Sequence, residues 1–127
     1  MNDRRRLPRK YLIIYSRVFD RNSARVLGHL CDLSLGGAMI IADAPHKPGA
    51  PLRLHFDLPE PERFGTDHFD LDVRVAHCEP DLSPEFYNLG VEFGELSNEQ
   101  KRIVTLMMDV YEFTREAGIY PAHPSVS

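Results

Sequence analysis

The residues best suited to bind a ligand lie in one short polar segment, Asp-Leu-Ser-Leu-Gly-Gly from Asp32 to Gly37. It stands between two apolar runs, which is the pattern of two strands that meet at a turn. Asp32 and Ser34 are two residues apart, so in an extended segment the carboxylate and the hydroxyl share one face. Gly36 and Gly37 permit either a positive φ or the close approach of a ligand. Because these are also common turn residues, a turn without a ligand is the alternative explanation.

The arginine-rich start of the chain is the second group of candidate binding residues. Arg5 and Arg9 form an R-x-x-x-R pattern just before the first predicted strand. Pro8 disfavours a helix here, so the arm is predicted to be extended. Arginine suits bidentate recognition of phosphate or of the O6/N7 edge of guanine. A solvated basic tail that binds nothing is the alternative.

Charge is distributed unevenly along the chain, and this distribution restricts the class of ligand that the protein could bind. The net charge is −4, of which residues 1–10 contribute +4 and the rest −8. An acidic body argues against general nucleic-acid binding through a broad basic face. A compact basic arm instead favours a small, strongly anionic ligand or an acidic patch on a partner.

Length and composition indicate a single globular domain. The chain has 127 residues, of which 43% are hydrophobic and 27% charged, as in ordinary soluble domains. No apolar run approaches the roughly 18 residues of a membrane span, and the basic N-terminus lacks the apolar region of a secretory signal. We therefore expect a cytoplasmic protein without membrane insertion, in which Cys31 and Cys78 are buried and reduced.

Six segments have the composition and alternation of β-strands, and turn residues separate them. The predicted strands are Tyr11–Phe19, Arg25–Asp32, Ala38–Ala42, Leu52–Leu58, Phe69–Cys78 and Tyr87–Phe93. The two longest connections, Pro59–His68 and Pro80–Glu85, are predicted to be surface loops. Six short strands at regular spacing predict a small closed barrel, an all-β fold.

A change of period near the end of the chain predicts one helix. Ser97 and Gln100 form a capping box, and apolar residues then recur at helical spacing to about Arg115, with Gly118 ending the helix. This helix is predicted to cover the barrel, with Met107 and Met108 filling the core. The predicted organisation is a flexible basic arm (1–10), a barrel plus helix (11–116) and a disordered tail (117–127).

The two motifs together resemble those of the PilZ domain family. The resemblance is carried by Arg5, Arg9, Asp32, Ser34 and Gly37, in the family's order and in the expected strand context. The last predicted strand followed by a helix is also similar to the end of a PilZ domain. The resemblance implies a bacterial receptor for cyclic di-GMP on a six-stranded antiparallel barrel with a C-terminal α-helix, with no catalytic activity and no cofactor beyond this ligand.

The resemblance also implies roles for the motif residues. Arg5 and Arg9 would pair with a phosphate and with the O6/N7 edge of guanine. Asp32 would accept hydrogen bonds from guanine N1–H and N2–H, with Ser34 beside it. Gly37, next to Gly36 in the same turn, would leave room for the base.

Arg4 precedes the first motif arginine, and in PilZ proteins resembling this one an arginine there accompanies an intercalated dimer of the ligand. The bound ligand is expected to clamp the arm across the barrel and change the exposed surface, so that the signal passes to a separate partner protein. Whether Arg6, Lys10 or Arg74 contact the ligand is left open by the sequence.

Three alternatives compete with this interpretation. An enzyme is disfavoured because the six histidines form no H-E-x-x-H pattern, the cysteines no C-x-x-C, and Ser34 lacks a G-x-S-x-G context. His29 with Cys31, or His77 with Cys78, could bind a metal only if their strands converged. A barrel for single-stranded nucleic acid needs a basic groove with aromatic residues, and a PilZ-like interaction module without a ligand usually lacks one of the two motifs.

Overall fold

A computed structural model of the chain describes residues 15–111, which form a closed six-stranded antiparallel barrel and two helices. The strand order around the barrel is β1-β2-β3-β6-β5-β4, and pairing of β1 with β4 closes it. The strands are β1 Arg17–Asp20, β2 Arg25–Leu33, β3 Gly37–Ala42, β4 Pro51–Asp57, β5 His68–Pro80 and β6 Tyr87–Glu92. The helices are α1 Pro61–Phe64 and α2 Asn98–Val110. The predicted barrel with a C-terminal helix is confirmed.

The strands form where alternating apolar residues can all face one interior. In β4 and β5, Leu54, Phe56, Leu71, Val73 and Val75 are buried, while the residues between them face outward. The buried residues of α2 belong to the same apolar cluster as those of the barrel, so the helix covers the barrel as predicted. Cys31 and Cys78 are not joined by a disulfide, as predicted; Cys31 is buried and Cys78 is only partly buried.

The connection from Pro59 to His68 is not wholly a surface loop, contrary to the prediction. Pro61 starts the short helix α1, where a proline suits the first turn, and Gly65 caps it with a left-handed φ of 84°. This turn directs Phe64 into the core, where its side chain is fully buried. β5 also extends through Pro80, so the next loop begins one residue later than predicted.

Helix α2 begins as predicted and ends earlier. Ser97 Oγ accepts a hydrogen bond from Gln100 N (3.1 Å), and Gln100 Oε1 accepts one from Ser97 N (2.8 Å), which completes the capping box. The helix stops at Val110, not near Arg115, because Tyr111 takes an extended backbone and buries its ring in the core. Met107 is buried as predicted, but Met108 lies on the outward face and is 42% exposed.

The predicted arm and tail, with Arg4, Arg5, Arg9 and Gly118, lie outside the described residues. In the described part of the chain, no helix is long and apolar enough to cross a membrane.

Candidate functional site

A β-bulge in β2 brings Asp32 to the outer face of the barrel. Leu30 pairs with Ile40 but Asp32 pairs with Met39, so Cys31 is the extra residue. Strict alternation would have pointed Asp32 inward together with Leu30, and the bulge reverses this by inserting one residue. Leu30 and Leu33 are buried while Asp32 is only partly buried. The carboxylate therefore lies on the outer face of the barrel.

The turn after Asp32 is held by its own polar groups. Ser34 N donates to the carbonyl of Gly37 (2.9 Å), and Ser34 Oγ lies 3.3 Å from the same oxygen and 3.2 Å from Gly36 N, which donates to it. Asp32 Oδ1 accepts from Leu33 N at 3.0 Å. A hydroxyl has two lone pairs and a carboxylate about four acceptor sites, so side chains of these types can shape a turn and bind a ligand at the same time.

The two glycines of the motif differ in what surrounds them. Neither has a positive φ, so the conformational reason considered for them does not apply. A Cβ on Gly37 would lie 2.3 Å from the carbonyl oxygen of Val91 in β6, so close strand packing already requires glycine there. A Cβ on Gly36 would meet nothing nearer than Ser34 Oγ, at 4.0 Å. The open space therefore lies at Gly36.

A cavity of about 230 Å³ opens beside this turn, and Asp32 and Ser34 both line it. It is lined by residues of four neighbouring strands and of the turn that joins β2 to β3, among them Gly37, Met39, His77 and Gly90. Its size suits one base, since sites that enclose a drug-sized ligand measure roughly 300–1,000 Å³. The sequence-predicted residues Asp32, Ser34 and Gly37 thus share one site, and Gly36 lies in its turn.

His77 and Met39 were not predicted to belong to the site. A second bulge, at Ala76, places Val75 opposite Val91 and His77 opposite Gly90, so His77 faces outward although Val75 points into the core. A bulge of this kind re-aims a side chain. The one signal in the sequence was that strict alternation would have put the polar His77 in the core together with Val75.

Arg74 belongs to a neighbouring cavity of about 550 Å³, where Pro51, Arg53 and Glu92 are among the lining residues. Arg74 Nη1 donates to the carbonyl oxygen of Gly49 at 2.8 Å. Arg74 is therefore anchored to the loop before β4 and does not line the cavity beside Asp32.

The histidines considered as metal ligands do not converge on a site. His29 is half-buried, and burial, with the nearby Arg17 guanidinium, holds its pKa below the usual value. Among residues 15–111, no group of three or more histidine, cysteine, aspartate or glutamate side chains could hold a metal ion.

Comparison with known proteins identifies the family. The model of the PilZ domain matches residues 3–109 of the 127-residue chain, which includes both motifs and the whole barrel. Searches of curated proteins and of solved structures gave no match. With its antiparallel barrel, covering helix and complete motifs, the chain belongs to the PilZ domain family.

Proposed function

We propose that this protein is a cytoplasmic receptor for cyclic di-GMP that changes its surface on binding and signals to a separate partner protein. The observation that carries this proposal is the outward cavity in which Asp32 and Ser34 meet. The family match adds that both motifs lie within one PilZ domain. In this role the chain binds and relays a signal without catalysing a reaction.

The chemistry of Asp32 suits the Watson–Crick edge of guanine. That edge presents two neighbouring N–H donors, at N1 and N2, and an ionised carboxylate only accepts hydrogen bonds. The partly buried position of Asp32 strengthens such a contact because the surroundings are less polar than water. Adenine has no equivalent pair of donors, so Asp32 favours guanine over adenine.

The position at which the arm joins the barrel suits the proposed role of the arginines. The carbonyl of Ser16 accepts a hydrogen bond from Leu30 N at 2.8 Å, only two positions before Asp32 in β2. Arg9 is seven residues before Ser16, and a chain of that length spans at most about 25 Å. Arg5 and Arg9 are therefore within reach of a ligand held at Asp32.

Stoichiometry and signalling complete the proposal. The cavity beside Asp32 has room for one base, so most of the ligand lies outside it and must be covered by other groups. Arg4, next to Arg5, favours a second ligand molecule intercalated with the first. Fixing the arm across the barrel would change the surface offered to a partner, an ordering transition common in switches.

Isothermal titration of the protein with cyclic di-GMP tests this proposal. Loss of one charge-assisted arginine contact costs about 1.5–3 kcal/mol, so Arg9→Ala is expected to weaken binding by roughly tenfold to a hundredfold or more. Arg25→Ala, which removes an exposed arginine at the opposite end of β2, is the matched control and should bind as the wild type does. GTP should not bind.

The outcomes separate the candidate functions. Saturable binding that depends on Arg9 supports the receptor, and the ligand-to-protein ratio decides between one molecule and two. Absence of heat, with no change in melting temperature at high micromolar ligand, would contradict the proposal. The domain would then be an interaction module that ignores the nucleotide.

A further inference from the structure

A row of outward-facing residues crosses the barrel at the proposed ligand site. The strand register places Asp32 opposite Met39, Met39 opposite Gly90, and Gly90 opposite His77. Since neighbouring strands lie about 4.8 Å apart, the row spans roughly 14 Å between its first and last Cα atoms. The Asp32 carboxylate and the His77 imidazole therefore stand at the two ends of one row.

The imidazole of His77 leans back over the adjacent strand. A Cβ on Gly90 would lie 2.3 Å from His77 Nε2 and 2.8 Å from Cδ2 and Cε1, so the end of the ring rests on Gly90 and buries it. The ring thus stands over β6, about two strand spacings or roughly 10 Å from Asp32. Met39 occupies the strand between them.

An opening with these three groups matches a purine that lies flat on the barrel. Guanine presents its N1–H and N2–H donors at one end and the acceptor N7 at the other. The carboxylate of Asp32 accepts at the first end, and an imidazole N–H donates at the second. The thioether of Met39 is polarisable and packs well against an aromatic ring.

We infer that His77 is a specificity-determining contact for the base, donating a hydrogen bond to guanine N7 while Asp32 takes the opposite edge and Met39 supports the face. This inference rests on the proposed function, because it assigns a contact to the same ligand. It differs from the family motifs in giving N7 of this base to a strand residue and not to an arginine of the arm.

A cycle of titrations with two ligands tests the contact. The ligands are cyclic di-GMP and its 7-deaza analogue, in which N7 is replaced by C–H and the remaining hydrogen-bonding groups are kept. Losing one neutral hydrogen bond weakens binding by about twofold to tenfold. Wild-type protein is expected to prefer cyclic di-GMP by at least that factor, whereas His77→Ala should lose the part of the preference that comes from this hydrogen bond. His68→Ala, an exposed histidine at the other end of β5, should keep the preference.

Two further variants test whether the position of the His77 ring matters and whether another N–H donor can replace it. Gly90→Ala keeps His77 but pushes its ring off the row, because the new Cβ meets the flexible end of that side chain and not backbone. It should lose the preference for N7 while melting close to the wild type. His77→Gln retains an N–H donor and should recover part of the preference.

The outcomes distinguish failure of the proposed function from failure of the inference about His77. If wild-type protein binds neither ligand, the proposed function itself fails. If it binds cyclic di-GMP, and His77→Ala and Gly90→Ala still prefer it to the 7-deaza analogue by the wild-type factor, then N7 is read elsewhere and the inference about His77 is wrong. Should His77→Ala fail to fold, Gly90→Ala gives the same comparison.

Discussion

At the scale of single residues, Gly36 and Gly37 serve different purposes although they are neighbours in one motif. Gly37 lies so close to the Val91 carbonyl that the barrel could not pack around a side chain there. Gly36 is exposed, its Cβ position is open, and it has no positive φ. Packing of the barrel therefore requires glycine at position 37, whereas nothing in the described fold requires it at position 36, where the proposed ligand would need room to approach.

Alanine substitutions at these two positions should affect different properties, stability at Gly37 and ligand binding at Gly36. Gly37→Ala forces its Cβ against backbone and is expected to lower the free energy of unfolding by about 1–3 kcal/mol. Gly36→Ala should change it by less than about 0.5 kcal/mol but weaken cyclic di-GMP binding. Urea denaturation and titration of both variants check this. Equal loss of stability in the two, or full ligand affinity in Gly36→Ala, would contradict the explanation.

At the scale of the elements, the two bulges determine which side chains form the site. The sequence predicted β2 and β5 nearly to their ends, and it identified Asp32 and Ser34 as candidates. It did not predict the bulges at Cys31 and Ala76, which shift the alternation of buried and outward residues by one position. A bulge depends on the register with the partner strand, and that register is fixed by contacts between segments far apart in sequence.

An ion-pair network joins three elements on the side of the barrel formed by β1, β4 and β5. Asp70 in β5 accepts from Arg21 Nε (3.0 Å) in the β1–β2 turn, and its other oxygen lies 2.5 Å from His55 Nδ1 in β4. His55 stacks on His68, with ring centroids 5.7 Å apart. Burial opposes ionisation of Asp70, but the hydrogen bonds from His55 and Arg21 prevail and lower its pKa below the usual 3.8.

The lowered pKa of Asp70 predicts how stability depends on pH. The network contributes fully above the ordinary pKa of 3.8 and is lost as pH falls through the lowered value. Asp70→Asn is therefore expected to lower the free energy of unfolding at pH 7 by about 1 kcal/mol, allowing for solvent screening of a partly exposed group. The difference from wild type should shrink as pH falls below about 4.

Chemical denaturation of both proteins across this pH range measures the effect. Asp72→Asn is the matched control, since Asp72 is also on β5 and pairs with Arg53, but its side chain is 72% exposed. A smaller loss of stability is expected for the control. A difference between Asp70→Asn and wild type that stayed constant down to pH 3 would show that the Asp70 charge does not stabilise the fold.

At the scale of the whole molecule, closure of the barrel depends on contacts that local patterns do not reveal. Strand number, strand order along the chain and the covering helix could be predicted from alternation, turn residues and the capping box. The burial of Phe64 and the extended backbone of Tyr111 were not predicted. Phe64 fills the core from an expected loop, and Tyr111, although it lies in the core as its place in the apolar pattern implies, ends the helix. Tertiary packing overrides local preference at both sites.

Ligand binding should also be visible as a change in the whole molecule. A ligand that binds only the folded state at a hundred times its Kd stabilises it by about 2.7 kcal/mol, so cyclic di-GMP is expected to raise the melting temperature by several degrees. If the ligand fixes the arm across the barrel, amides of residues 4–10 should exchange hydrogen more slowly with ligand than without it. Amides in the middle of α2 should not change, because that helix is already packed on the barrel.

Hydrogen exchange measured by mass spectrometry, with and without saturating cyclic di-GMP, tests this switch. Arg9→Ala is the matched variant, because it removes one arm contact and leaves the described barrel intact. It should show neither the slower exchange nor the full rise in melting temperature at the same ligand concentration. Equal exchange of the arm in the free and bound wild type would mean that the ligand binds without fixing the arm, and that the signal to a partner arises elsewhere on the barrel.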